Sequence, residues 1–267
     1  MADVQFAHLE WRGRPLRLEY QWVGDAASTR PPVVFLHEGL GSLAMWKDFP
    51  SSLCSDHGLR GLVFSRYGYG QSTPKPADEH WTPDFMRAQA HDVLPMLLAH
   101  LNIARPWLFG HSDGASIALL YAAAYPARVA GAVVLAPHIV VEDLAVTSIA
   151  KAREAYLHTD LRQRLAKHHA DPDSAFWGWN DIWLHPPFKA WSIEREIETI
   201  TCPLLAVQGV DDEYGTLEQI RGIARRLPQT RLLELADCGH SAHRDQPERV
   251  IAATTAFIAQ HHNGDTP

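Results

Sequence analysis

One short stretch of the 267-residue chain, residues 110–114, constrains the fold more than any other. Its sequence is Gly-His-Ser-Asp-Gly, which fits the pattern G-x-S-x-G. The apolar run 107–109 before it is typical of a buried strand, and the apolar-rich run 115–122 after it is typical of a helix. So abrupt a change from strand to helix requires glycines where the two backbones approach, and it strains the corner residue. The pattern therefore predicts that Ser112 presents its hydroxyl at a helix N-terminus, where free N–H groups favour negative charge.

Length and composition limit the class of protein. A chain of 267 residues fits one large α/β domain, or two small ones, with a sizeable core. The net charge of −7 argues against nucleic acid or an anionic membrane as a partner. The three cysteines are widely spaced and odd in number, which favours a reducing compartment over a disulfide framework. Because the first residues do not fit a signal peptide and no apolar stretch reaches spanning length, we expect a cytoplasmic protein.

Hydrophobic patterns predict an α/β fold. Residues 4–24 alternate apolar and polar side chains around Gly13, which is typical of a half-solvated antiparallel hairpin. Six apolar segments that alternate with helical patterns predict buried strands at 33–36, 59–64, 107–109, 129–135, 203–209 and 231–235. We therefore expect a mostly parallel central sheet flanked by helices.

The alternation of strands and helices stops in the segment 138–201. We interpret this segment as a helical cap inserted after a central strand, with residues 1–137 and 202–267 as the core. The segment is rich in tryptophan, and Trp177 and Trp183 are our candidates for lining a substrate pocket. The alternative is that these rings pack the cap onto the sheet, because large aromatic side chains usually serve as core.

Loops that follow predicted strands carry the other candidate chemistry. The glycine-containing loop 37–39 follows the first buried strand, at the edge where α/β sheets place ligands. Three adjacent acids, at 211–213, and the pair Gly239-His240 each follow a later strand. Another glycine-rich loop, residues 65–72, lacks the ending of a phosphate-binding loop, and we interpret it as structural.

A serine, an acid and a histidine thus follow three strands in chain order, and in this the sequence resembles the α/β-hydrolase fold superfamily over nearly its whole length. It looks most like capped, ester-hydrolysing members, including the valacyclovirase-like group. The resemblance implies that Ser112 is the nucleophile, that His240 is the general base and that an acid orients the imidazole. The family's spacing from the strand-end glycine favours Asp212 as that acid, with Asp211 as the second choice.

The resemblance also implies an oxyanion hole formed by the backbone N–H groups of Gly39 and Asp113. Family members commonly have glycine directly after the histidine of this loop, whereas this chain has Glu38. In the valacyclovirase-like group the acid after the nucleophile binds an α-amino group. Because Glu38 and Asp113 both lie beside the proposed hole, we expect Glu38 to contact the substrate. Two carboxylates would repel an acidic ester, so we expect neutral or cationic esters to be preferred. The alternative is that both acids are buried in hydrogen bonds and contact no substrate.

These features predict hydrolysis of a small carboxylic ester through an acyl-enzyme, without a metal or an organic cofactor. The same three residues would serve a C–C bond hydrolase, a lactonase or a thioesterase, because only the pocket separates these reactions. An alternative from another class is a ligand-binding protein that has the fold without the chemistry.

Overall fold

The computed structural model describes residues 3–262, and the strands of this range form one eight-stranded sheet. In chain order the strands are β1 (Gln5–Trp11), β2 (Arg14–Gly24), β3 (Val33–Leu36), β4 (Arg60–Phe64), β5 (Trp107–His111), β6 (Gly131–Leu135), β7 (Leu204–Gly209) and β8 (Thr230–Leu235). Their order across the sheet is β1-β2-β4-β3-β5-β6-β7-β8. β2 pairs antiparallel with β1 and with β4, and all other pairs are parallel. The prediction of a mostly parallel sheet in an α/β fold is therefore confirmed.

Helices cover both faces of this sheet. They are α1 (Phe49–Ser55), α2 (Phe85–Ala88), α3 (Leu94–His100), α4 (Asp113–Ala124), α5 (Asp143–His158), α6 (Leu161–Leu165), α7 (Pro172–Trp183), α8 (Glu218–Arg226), α9 (Ala242–Asp245) and α10 (Pro247–His262). Side chains of α1 and α10 pack on one face, and those of α3, α4 and α8 pack on the other. Successive strand residues alternate between the two cores, so that Val34 and Leu108 face α4 while Val33 and Phe109 face α1. Within residues 3–262, no helix combines the length and apolar character of a bilayer span.

The three cysteines are buried, free thiols. Burial raises the pKa of Cys54 to about 12 and the pKa values of Cys202 and Cys238 to about 11. All three side chains therefore stay protonated at neutral pH, and they pack as small apolar groups.

Between β6 and β7 the chain leaves the sheet, and the predicted cap range, 138–201, encloses α5, α6 and α7. Gln219 of α8 ties the start of this segment to the core. Its Oε1 accepts hydrogen bonds from the N–H groups of Ile139 (2.7 Å) and Val140 (3.3 Å), and its Nε2 donates to the Val140 carbonyl oxygen (3.1 Å). Because Gln219 is fully buried, these bonds are shielded from water.

Gln219→Ala is expected to lower the free energy of unfolding by about 2 kcal/mol, because it leaves the buried N–H of Ile139 and the partly buried N–H of Val140 unpaired. Urea denaturation measures the change. Gln229→Ala is the matched control, since Gln229 is exposed and makes a single bond, to the Ile200 carbonyl oxygen. Equal losses in the two variants would contradict the role given to Gln219.

Candidate active site

Ser112 lies at the sharp turn between β5 and α4. Its φ of 52° and ψ of −121° are strained values for a residue with a side chain. A Cβ on Gly110 would lie 2.5 Å from the Cα of Ala115. A Cβ on Gly114 would lie 2.1 Å from the Leu36 carbonyl oxygen. The two glycines therefore let strand and helix backbones touch, and the turn has the geometry that the G-x-S-x-G pattern predicts.

The loops after β7 and β8 bring an acid and a histidine together. His240 Nδ1 lies 2.8 Å from Asp212 Oδ1. The same oxygen accepts hydrogen bonds from the N–H groups of Tyr214 (2.8 Å) and Gly215 (3.2 Å), and Oδ2 accepts one from Gln208 Nε2 (3.0 Å). Because a carboxylate only accepts, this contact places the imidazole proton on Nδ1 and leaves Nε2 able to take a second proton.

Asp212, rather than Asp211, occupies the position against the histidine. Asp211 is exposed, and its N–H donates to the Cys238 carbonyl oxygen (2.9 Å). Burial alone would raise the pKa of Asp212, but the hydrogen bond and charge of His240, together with the Tyr214 N–H, outweigh burial and lower it. Asp212 is therefore ionised at neutral pH where it meets the ring of His240.

Ser112 and His240 line one cavity of about 240 Å³. The two residues predicted to form the oxyanion hole, Gly39 and Asp113, lie in its wall. A Cβ on Gly39 would lie 2.2 Å from Nε1 of Trp179, so the close packing here requires glycine. The cavity is completed in part by side chains from the 138–201 segment and the strand-end loops, among them His138, Ile149, Trp183, Glu213 and Tyr214.

Of the two tryptophans that the sequence nominates as pocket residues, Trp183 lines this cavity and Trp177 does not. The Trp177 ring instead packs against Tyr156 and Phe176, at centroid distances of 5.4 and 5.0 Å. Trp179, which the sequence analysis did not select, lines the cavity in its place. A helix turns by about 100° per residue, so Trp179 and Trp183 share a face of α7 while Trp177 lies on the opposite face. The spacing of four residues between Trp179 and Trp183 is thus the sequence signal that places both rings on the cavity side of the helix.

Asp113 lies in the cavity wall with its carboxyl group fully buried. Its Oδ1 accepts a hydrogen bond from Trp183 Nε1 (3.2 Å), whereas its Oδ2 is buried without a partner among the described residues. Burial raises the pKa of Asp113 to about 6, although the charge of Arg66 and the Trp183 bond favour the ionised form. One carboxyl oxygen of Asp113 therefore makes a buried hydrogen bond, as expected from the alternative in which this acid contacts no substrate. The carboxyl group titrates near pH 6.

Glu38 also lines the cavity, but its carboxylate is engaged by other side chains. Oε1 lies 3.1 Å from Arg244 Nη2, and Oε2 lies 3.5 Å from His111 Nδ1. Although burial opposes ionisation, these two partners hold the pKa of Glu38 well below its ordinary value. His111 Nε2 in turn donates to the His240 carbonyl oxygen (2.9 Å). Glu38 therefore connects the loop after β3 to the loop that carries His240, a contact between distant segments that no sequence pattern indicates.

Two rings that sequence reasoning missed flank His240. The Tyr214 ring centroid lies 4.8 Å from that of His240, and the His138 centroid lies 6.0 Å away. Burial, with the nearby His240 adding to it, lowers the pKa of His138 to about 3, so His138 is neutral at neutral pH. His138 follows β6 at the same sheet edge as the other site residues. Its position directly after a predicted parallel strand was the sequence signal that could have identified it as a site residue.

The arrangement can transfer a proton and stabilise a developing anion. Ser112 supplies a hydroxyl at the helix N-terminus, and His240 supplies an imidazole that Asp212 orients. The first two N–H groups of α4, those of Asp113 and Gly114, precede the helical hydrogen bonds, which begin at Ala115. A negative charge that forms in the cavity is favoured by these N–H groups and by the helix dipole.

Comparisons with known proteins agree with this fold. A model of the alpha/beta hydrolase fold family matches residues 31–179. The sn-1-specific diacylglycerol lipase ABHD11 of Mus musculus is 25% identical over 277 residues, which cover 92% of this chain and 86% of the relative. A thermophilic esterase from Thermogutta terrifontis superposes with a TM-score of 0.75 at 21% identity, covering 97% of this chain and 99% of that one. For a proline iminopeptidase from Mycobacterium smegmatis the TM-score is 0.78 at 17% identity, with coverages of 98% and 100%.

Asp113→Asn is expected to change how stability depends on pH. Burial raises the pKa of Asp113 from 3.8 to about 6, so its contribution to stability is present at low pH and is lost as the pH rises through 6. An asparagine side chain cannot ionise, so the Asp113→Asn variant does not lose stability in this way as the pH rises. Its free energy of unfolding, relative to the wild type, should therefore rise by about 2 kcal/mol between pH 4.5 and 7.5, as measured by urea denaturation. A pH-independent difference between Asp113→Asn and the wild type would contradict the assignment.

Proposed function

This chain belongs to the α/β-hydrolase fold family and is a hydrolase of that fold, and we propose that it cleaves small carboxylic esters through an acyl-enzyme on Ser112. One observation carries the proposal: the strained corner serine shares a cavity with His240, whose Nδ1 lies 2.8 Å from Asp212. A serine, an imidazole and a buried carboxylate in this relation are the groups that acyl transfer requires.

The proposed reaction begins when the Ser112 oxygen attacks the ester carbonyl carbon while Nε2 of His240 accepts the hydroxyl proton. The carbonyl oxygen becomes an anion that accepts hydrogen bonds from the backbone N–H groups of Gly39 and Asp113. Asp212 stabilises the imidazolium of His240, and this imidazolium then returns the proton to the leaving alcohol. A water molecule then attacks the acyl-enzyme, again with His240 as the base, and the carboxylic acid is released.

The size and polarity of the cavity support a small and uncharged acyl group. A volume of about 240 Å³ is smaller than that of most ligand pockets, and the rings of Trp179 and Trp183 supply apolar walls. With a pKa of about 6, Asp113 is mostly ionised at pH 7 and disfavours an acidic substrate nearby. We further propose that residues 138–201 act as a cap over this cavity and that the protein works in the cytoplasm.

The test is hydrolysis of p-nitrophenyl esters with acyl chains from acetyl to dodecanoyl, with Ser112→Ala as the comparison. We expect short chains to be hydrolysed fastest and Ser112→Ala to reduce kcat by about 10⁴-fold or more. Unchanged hydrolysis in Ser112→Ala would refute the serine mechanism. Labelling of Ser112 by a fluorophosphonate without ester hydrolysis would favour C–C, lactone or thioester substrates, and the absence of both would favour a non-catalytic binding protein.

Asp212→Asn is expected to lower kcat by about 10³-fold or more, because an amide in this position favours the wrong imidazole tautomer and cannot stabilise the imidazolium. The neighbouring Asp211→Asn is the matched control, since Asp211 is exposed and makes only a backbone contact to the histidine loop. Steady-state kinetics of the two variants measure the difference. A larger loss in Asp211→Asn would reverse the assignment of the acid.

A further inference from the structure

The peptide group between Glu38 and Gly39 is held by an unusual set of hydrogen bonds. This group carries both the Glu38 carbonyl and the Gly39 N–H, which is one of the two proposed oxyanion donors. The Glu38 carbonyl oxygen accepts from His37 Nδ1 (2.7 Å), from Arg66 Nη2 (2.8 Å) and from the Gly41 N–H (3.1 Å). The bond from Arg66 is charge-assisted, so it is stronger than an ordinary amide bond.

The same two side chains are locked to each other. The backbone N–H of Arg66 donates to His37 Nε2 (3.0 Å), so that nitrogen carries no proton. The proton of neutral His37 is therefore on Nδ1, where it donates to the Glu38 carbonyl oxygen. His37 is fully buried, and burial, with the charge of Arg66 adding to it, lowers its pKa well below the ordinary value. His37 is thus a neutral donor of fixed tautomer across the physiological pH range.

Arg66 is a buried cation whose charge reaches the site. It is 1% exposed, and its guanidinium carbon lies 4.6 Å above the ring centroid of Tyr69. Within the described residues, no hydrogen bond is formed by its Nε and Nη1 atoms, whereas Nη2 donates to the Glu38 carbonyl oxygen. The positive charge also favours ionisation of Asp113, the other proposed oxyanion residue. A charge in so dry an environment acts over a longer range than one in water.

From these contacts we infer that Arg66 and His37 are positioning residues that orient and polarise the Glu38–Gly39 peptide, so that the Gly39 N–H binds the oxyanion more strongly. This inference rests on the proposed function. Donors that bind a peptide carbonyl withdraw electrons from it and strengthen the N–H of the same peptide, because hydrogen bonds in a chain polarise one another. The loop 65–72, whose glycines suggested a structural role, thereby takes part in electrostatic stabilisation of the transition state.

A role limited to holding the loop in place makes a different prediction. Loss of Arg66 would then lower stability, and it would weaken substrate and transition state alike. Polarisation strengthens binding only where negative charge develops, so its loss lowers kcat and leaves KM nearly unchanged. The two roles therefore separate in steady-state kinetics.

The experiment compares Arg66→Met and Arg66→Lys with the wild type, using p-nitrophenyl acetate and an alkyl trifluoromethyl ketone. Ser112 adds to the ketone carbon, its proton passes to His240, and the ketone oxygen becomes an oxyanion in the proposed hole. We expect Arg66→Met to lower kcat by about tenfold to a hundredfold, somewhat less than removal of a donor, with KM within about twofold. The inhibition constant of the ketone should rise by the same factor. Arg66→Lys, which retains the charge but not the planar geometry, should recover part of the loss.

The matched control is Arg87→Met, because Arg87 is a partly buried arginine that pairs with Glu196 and does not line the cavity. Its kcat and its ketone inhibition constant should equal those of the wild type. If Arg66→Met does not fold by circular dichroism, Arg66→Lys carries the test, with a fall in kcat of about threefold or more expected at unchanged KM. An unchanged kcat and ketone affinity in a folded Arg66 variant, or a loss confined to KM, would overturn the inference. Activity that survives in Ser112→Ala would instead refute the proposed function, so the two failures are distinguishable.

Discussion

The positive φ of Ser112 is the constraint on which the rest of the site depends. The side chain can stand at this corner only if neighbouring backbones almost touch. Gly110 lets β5 approach the start of α4, and Gly114 lets α4 approach the end of β3, which explains why glycine is required at both positions. The N–H of Ser112 donates to the Leu135 carbonyl oxygen (2.9 Å), so the pairing with β6 holds the strained residue in place. The strain is therefore supported by the centre of the sheet, where local unfolding costs most.

Parallel strands explain how residues from distant parts of the chain meet around this corner. Because β3 to β8 all run in one direction, the loops after their carboxyl ends lie along one edge of the sheet. The Glu38–Gly39 loop, the serine, the acid and the histidine each follow a different strand, and the contacts between these loops set their relative positions. Glu38 bridges to Arg244, His111 reaches the His240 carbonyl, and Arg66 holds the Glu38–Gly39 peptide. The electrostatics of the site thus depend on loop-to-loop contacts more than on any one motif.

The sequence predicted the elements whose pattern is local and missed what depends on contacts between elements. Buried apolar runs identified the parallel strands, and G-x-S-x-G identified the sharp turn at Ser112, because both patterns lie within a few consecutive residues. The choice between Asp211 and Asp212 required the fold, since adjacent residues point in different directions and only the structure shows which meets His240. Trp177 was named as a pocket residue from composition, but it lies on the face of α7 opposite Trp179 and Trp183. Arg66 could not be recognised at all, because its partner is a backbone carbonyl on another loop.

The central claim is that hydrolysis passes through an ester of Ser112, and trapping that ester tests the claim most directly. The protein is mixed with p-nitrophenyl acetate and quenched in acid during turnover, and intact and peptide masses are then measured. The account predicts a protein species heavier by one acetyl group, with the acetyl on the peptide that contains Ser112. An enzyme that hydrolyses the ester while its trapped acetyl group lies on another residue, or while no acetyl-enzyme forms under any quench time, would contradict it.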